Sequence, residues 1–132
     1  MEPTSRPRVL LVDDRETNRS LLEEALAEIG AEVFVAEGGK QALEIVSSSA
    51  PEVVVLDFQM PDLNGVETAR QIKGRAGAPF TYVILMSGYP EAEAELNRDP
   101  SPADLFLGKP FALDELRAAV GEGLRAARAR RG

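Results

Sequence analysis

The chain has no cysteine and no histidine among its 132 residues. Without cysteine there is neither a disulfide nor a zinc–thiolate site, a usage that fits a cytoplasmic protein. Without histidine there is no His-based catalytic triad, and most zinc and iron sites lose their usual ligand. The same absence excludes a histidine phosphoryl carrier within this chain. Long apolar runs are missing too: none approaches the roughly 20 residues of a membrane span. The opening segment Met1-Glu2-Pro3-Thr4-Ser5-Arg6-Pro7 contains no apolar stretch, so no secretory signal is expected. Positive charge is scarce, with 15 Lys and Arg against 22 Asp and Glu and a formal charge of −7. That balance argues against nonspecific nucleic-acid binding, which rests on neutralising phosphates with cations.

What remains is a chain that is 44% hydrophobic and only 5% aromatic, long enough for one domain with a real core. Strand and helix signals alternate along it. The strand candidates are Val9–Val12, Glu32–Ala36, Val53–Leu56, Tyr82–Met86 and Leu105–Leu107. The first, third and fourth are short, β-branched and almost wholly apolar, as strands covered on both faces should be. Between them lie apolar stripes at helical spacing. Leu21, Leu22, Ala25, Leu26 and Ile29 form one, with Gly30 as its stop. Ala42, Leu43, Ile45 and Val46 form the next, broken by Ser47-Ser48-Ser49 and Pro51. Val66, Ala69, Arg70 and Ile72 mark a third. Glu91 to Asn97 is a weaker candidate with a single large apolar residue, ended by Asp99-Pro100-Ser101-Pro102. Leu113, Leu116, Val120 and Leu124 share one face of a last helix, with Asp114 near its start and arginines near its end, both favourable to the helix dipole. Repeated strand–helix units with right-handed crossovers give an α/β fold, a doubly wound parallel sheet. The expected bounds are a tail over residues 1–7, a domain over 8–124 and a basic C-terminal tail over 125–132, a solvated helix end carrying Arg125, Arg128, Arg130 and Arg131.

Polar groups follow the apolar runs at telling places. Asp13-Asp14 follow the first strand, Asp57 the third, Ser87-Gly88 the fourth and Lys109-Pro110 the fifth. In an open parallel sheet such strand ends converge on a crevice where ligands bind. Three carboxylates gathered there repel one another, and a hard cation such as Mg²⁺, which takes oxygen ligands and keeps waters, relieves them. Taken singly, each residue has an ordinary reading: an Asp-Asp pair caps a helix, Ser-Gly is loop chemistry, a lysine is a surface charge, and Phe106 beside a strand end is core.

Taken together and in order, these residues resemble the receiver domain of the two-component response-regulator family. The resemblance spans residues 8–124 and includes Met60-Pro61-Asp62-Leu63-Asn64-Gly65, similar to the family's M-P-x-x-x-G turn. It implies a flavodoxin-like three-layer sandwich with strand order 2-1-3-4-5. It implies Asp57 as phosphoacceptor, attacking the phosphorus of a phosphohistidine on a histidine kinase or histidine phosphotransfer protein. It further implies Mg²⁺ held by Asp13, Asp14, Asp57 and the carbonyl of Gln59, with Lys109 pairing with a phosphate oxygen. Ser87 would donate its hydroxyl once Asp57 is modified, and Phe106 would turn inward as the switch aromatic. The Lys109–Pro110 peptide is expected to be cis.

Gln59 and Tyr89 flank the site and would screen it from water. The segment Tyr89 to Pro102, short and acidic, is expected to be the switching element, and a homodimer through this side stays open. A downstream output protein or domain is implied, though none follows residue 124. The chain is therefore read as a single-domain regulator, a phosphorelay intermediate or a piece of a larger protein such as a hybrid kinase. Two other readings stand beside it: a Mg²⁺-dependent phosphohydrolase of the haloacid-dehalogenase kind, for which Gln59 stands where a second aspartate is wanted, and a degenerate receiver used only for binding.

Overall fold

Five strands and five helices alternate strictly in the computed structural model, which describes residues 6–75 and 77–131. They are β1 (Arg8–Val12), α1 (Glu16–Ala27), β2 (Glu32–Ala36), α2 (Gly39–Ser49), β3 (Val53–Asp57), α3 (Gly65–Lys73), β4 (Tyr82–Ser87), α4 (Pro90–Arg98), β5 (Leu105–Gly108) and α5 (Leu113–Arg131). The strands form one parallel sheet in the order β2-β1-β3-β4-β5. Each sequence-read strand is present, lengthened by at most one residue at an end.

Alternation along each strand sends side chains to two separate cores. Val9, Leu11, Val55, Ile84 and Met86 meet Leu22 and Leu26 of α1 and Leu116 and Val120 of α5 on one face. Leu10, Val12, Val54, Leu56, Val83 and Leu85 meet Ala42 and Val46 of α2, Val66, Ala69 and Ile72 of α3, and Leu96 of α4 on the other. Burial on both faces explains the unbroken apolar runs of β1, β3 and β4. Since β1 is followed by α1 on one face and β3 by α3 on the other, the carboxyl ends of these neighbouring strands flank the point where the winding reverses. That is where a doubly wound sheet opens a crevice.

Two helix ends differ from expectation. The serine run does not end α2, which continues through Ser49; the break falls at Ala50, in the left-handed conformation with φ of 46°, followed by Pro51. The expected tail from residue 125 is helix through Arg131. Its arginines are not simply solvated. Arg128 Nε donates to Glu52 Oε2 at 2.7 Å, and Arg131 donates to the carbonyls of Phe80, Ala50 and Pro51 at 2.8, 3.1 and 2.9 Å. Burial pulls the Arg131 pKa down from its ordinary value, against the opposing charge of Glu52. Of the expected N-terminal tail, residues 1–5 lie outside the described residues; the Pro7 carbonyl already accepts from Glu32 N at 2.7 Å. Among the described residues, no helix is long and apolar enough to cross a membrane.

The helix α4 forms over Pro90–Arg98, with Pro90 in its first turn and Ala92 and Leu96 as its buried residues. Arg70 of α3 reaches Glu95 and Asp99 at 3.7 and 3.6 Å, contacts between half-exposed groups that contribute little.

Candidate functional site

The carboxyl ends of β1, β3, β4 and β5 deliver the polar residues to one place. Asp57 ends β3 and is only 4% exposed. Its Oδ1 lies 3.1 Å from Nζ of Lys109, which follows β5. Asp13 and Asp14 follow β1, the first fully buried and the second exposed. Asp13, Asp14 and Asp57 each offer a carboxylate oxygen within 4.8 Å of the others. Three acids thus face a single ammonium. Burial raises the Asp57 pKa above its ordinary 3.8; Lys109 opposes that shift, while Asp13 and Asp14 add to it.

One atom stands out for its lack of a partner. Asp13 Oδ1 accepts from Arg15 N at 2.9 Å, but Asp13 Oδ2 is buried with no hydrogen-bond partner among the described residues. A buried, unpartnered carboxylate oxygen costs about 1–3 kcal/mol or more. A cation bound among the three acids would supply the missing partner. The donors are all oxygens, so they fit a hard ion such as Mg²⁺, which tolerates few protein ligands and keeps water on the rest.

The acids open onto a cavity of about 540 Å³, lined by Asp14, Arg15, Asp57, Gln59, Met60, Pro61, Gly88, Tyr89 and Lys109. Gln59 and Tyr89 therefore stand at its wall, Tyr89 45% exposed. Arg15 is a member that the sequence reading did not single out; its place directly after the acidic pair was the available signal. Ser87, the last residue of β4, is buried, and its Oγ accepts from Tyr89 N at 2.9 Å. The Ser87 carbonyl accepts from Lys109 N at 2.9 Å, which ties the lysine loop to the end of β4. The Lys109–Pro110 peptide is cis, as expected. Phe106 is half-buried against the second core, and a smaller cavity of about 180 Å³ is lined by Phe106 and Ser87 together with Pro90 and Glu93.

The turn after Asp57 is tightly built. Gly65 N donates to the Phe58 carbonyl at 2.7 Å, and a Cβ on Gly65 would lie 2.6 Å from the Asp57 carbonyl, so only glycine fits there. Asn64 then caps α3: its side chain accepts from Glu67 N while Glu67 Oε1 accepts from Asn64 N, a reciprocal pair that satisfies two helix-end amides.

Comparison with known proteins places this arrangement. Residues 9–121 match the family model described as the response regulator receiver domain. The chain is 37% identical over 118 residues to the response regulator MprA of Mycolicibacterium vanbaalenii, an alignment covering 89% of this chain and 50% of that protein. The chain thus spans about half the length of that curated relative. Among solved structures it resembles the response regulator protein TrrA from Thermotoga maritima in complex with Mg²⁺-BeF. The TM-score there is 0.79 at 34% identity, covering 89% of this chain and 98% of that one. It also resembles the signal receiver domain of an HD domain-containing protein from Pseudomonas fluorescens, with a TM-score of 0.87 at 26% identity, covering 97% and 93%.

Proposed function

The chain belongs to the response regulator receiver domain family, and from that premise we propose that it takes a phosphoryl group onto Asp57 in a Mg²⁺-dependent reaction. The observation that carries this reading is the juxtaposition at the sheet's crest. A buried carboxylate paired with one lysine lies within 4.8 Å of two further acids, one of them with an oxygen that nothing among the described residues satisfies.

In this reading an Asp57 oxygen attacks phosphorus, an acyl phosphate bond forms, and the phosphorus–nitrogen bond of a donor phosphohistidine breaks. The donor phosphohistidine lies outside these 132 residues, which contain no histidine, and a histidine kinase or histidine phosphotransfer protein would supply it. Asp13, Asp14, Asp57 and the Gln59 carbonyl would hold Mg²⁺, which when bound offsets the negative charge that gathers as carboxylate meets phosphoryl group. Lys109 Nζ, already on Asp57 Oδ1, is within reach of a phosphoryl oxygen there and supplies a compact positive charge. Ser87, one residue beyond the Met86 that pairs with Asp57, would donate its hydroxyl to a phosphoryl oxygen, and Phe106 lines the same small cavity as Ser87. Solution of TrrA with Mg²⁺-BeF supports the metal assignment by similarity. The protein acts on no substrate but its own aspartate, and its product is a changed surface for an output partner in the cytoplasm.

The test is incubation with acetyl phosphate and Mg²⁺ followed by intact-mass measurement. Wild type should gain one phosphoryl group, and Asp57→Asn, nearly isosteric, should fold and gain none. Continuous release of phosphate without a stable adduct would favour a hydrolase. Equal labelling of Asp57→Asn would remove Asp57 from the role.

A further inference from the structure

The Mg²⁺ reading leaves one question about this chain's own architecture: what holds the wall of the site that carries the Gln59 carbonyl. The loop from Phe58 to Asn64 is closed at its base by the Gly65 N to Phe58 O bond and, at the far side, by the start of α3. Among the described residues, Gln59, Met60 and Pro61 form no hydrogen bond of their own. The apex is tied elsewhere. Asp62 extends its carboxylate across to the first turn of α2, where Oδ1 accepts from Gly39 N at 2.9 Å and Oδ2 from Lys40 N at 3.0 Å; Oδ1 also accepts from Leu63 N at 2.7 Å.

This is a helix N-cap supplied from another element. The residue at the N-cap position of α2 is Gly38, which has no side chain to do the work. The free amides at a helix start favour a negative partner, and Asp62, 23 residues beyond Gly39, takes that place. The two glycines make room for it. A Cβ on Gly38 would lie 2.9 Å from Asp62 Oδ1, although its extended backbone, φ of −164°, would accept any residue. A Cβ on Gly39 would meet Leu63 at 2.9 Å and collide with Thr68 Oγ1. The glycine pair at Gly38-Gly39 is therefore explained by the approach of the β3–α3 loop and, at Gly39, of Thr68 in α3.

We propose that Asp62 is a positioning residue for the metal site: by tying the loop apex to α2 it fixes the Gln59 carbonyl at the cavity wall and so sets Mg²⁺ affinity. The inference rests on the receiver reading above. Asp62 does not touch the metal ligands; it acts three residues along a loop whose middle makes no hydrogen bond among the described residues and is otherwise held by Met60 packing against the second core. Groups that orient metal ligands from outside typically matter by about 10–100-fold in affinity, and the lower end is expected for an effect passed through backbone.

The experiment is Mg²⁺ titration of the folded protein by calorimetry and by amide NMR for wild type, Asp62→Ala, Asp62→Asn, Gly38→Ala and the double variant Gly38→Ala/Asp62→Ala. Asp62→Ala should bind Mg²⁺ about tenfold more weakly. Asp62→Asn, which keeps one oxygen acceptor, should lose less. Gly38→Ala should also weaken binding, although it keeps the charge and adds only a methyl far from the metal. In the double variant the losses should not add, because both act through one contact. The Gly39 and Lys40 amide signals, read without metal, should shift in all of the single variants.

Unchanged Mg²⁺ affinity in Asp62→Ala would overturn the inference, with the receiver reading intact. So would equal losses in Asp62→Asn and Asp62→Ala together with an unchanged Gly38→Ala, since that pattern reports a distant charge and no positioning. Wild type that binds no Mg²⁺, with Asp57 taking no phosphoryl group, would instead take down the function itself.

Discussion

At the scale of single residues, the site is a set of unbalanced groups held ready. Asp13 Oδ2 is the clearest: buried, ionisable and unpartnered among the described residues. Asp13→Asn keeps the acceptor for Arg15 N and removes one of three mutually repelling charges. Metal-free Asp13→Asn should therefore melt above wild type, by an amount equivalent to about 1 kcal/mol. Added Mg²⁺ should raise the wild-type midpoint and leave the variant's nearly unmoved; thermal scans with and without metal decide it. A lower metal-free midpoint would mean that the charge is compensated. Asp62 behaves in the opposite sense. The amides of Lys40, Leu63 and Gly39 hold its carboxyl down at about 2, against an ordinary 3.8. A folded-state value below the unfolded one means that the native state releases the proton more readily. The contribution of Asp62 to stability should be complete above about pH 3.8 and lost as pH falls toward 2. Urea midpoints of wild type and Asp62→Ala should therefore differ at pH 5 and converge in that acid window. A difference that persists to pH 2 would show that the contact does not depend on charge.

At the scale of elements, α5 offers a paired test of packing against propensity. Gly123 lies where a Cβ would come within 2.5 Å of the Tyr82 ring, whereas a Cβ on Gly121 would meet only the end of the Arg125 side chain at 3.7 Å. Alanine improves helix propensity by about 1 kcal/mol at either position. Gly121→Ala should thus stabilise by up to that amount, while Gly123→Ala should destabilise by about 1–3 kcal/mol as the ring and helix are forced apart. Chemical denaturation of the two variants gives the signs directly. The helix α4 stands at the other extreme. Its buried anchors are Ala92 and Leu96, and Glu91, Glu93 and Glu95 crowd one short stretch. Amide exchange should be fastest from Tyr89 to Pro102 and slow when Mg²⁺ and beryllofluoride are added. Equal protection in both states would place the response elsewhere.

At the scale of the whole molecule, the alternation of strands and helices and the placing of Asp13, Asp14, Asp57, Ser87 and Lys109 at strand ends were legible in the sequence from a local signal, an apolar run followed by a polar residue, repeated along the chain. The strand order 2-1-3-4-5 and the three-layer sandwich came from the resemblance to receiver domains. The end of α5 and the role of Asp62 were not. The partners of Arg128 and Arg131 are Glu52 and the carbonyls of Ala50, Pro51 and Phe80, more than 50 residues away along the chain, so a run of arginines read as a solvated end. The partners of Asp62 are backbone amides; their mark in the sequence is the Gly38-Gly39 pair, which makes room for the loop without naming what fills it. The hydroxyl of Ser87 has a further consequence. Its oxygen receives the Tyr89 amide proton, and among the described residues its own proton goes to nothing. The amide, the hydroxyl and whatever acceptor arrives above Asp57 are therefore wired in series. A hydroxyl that donates to an anion becomes a more electron-rich acceptor, so each bond in such a chain strengthens the next. Negative charge installed on Asp57 would tighten the grip on Tyr89, the residue from which α4 starts, before any atom has to travel. The Tyr89 amide proton should then move downfield when the phosphoryl mimic binds, and Ser87→Ala should abolish that shift.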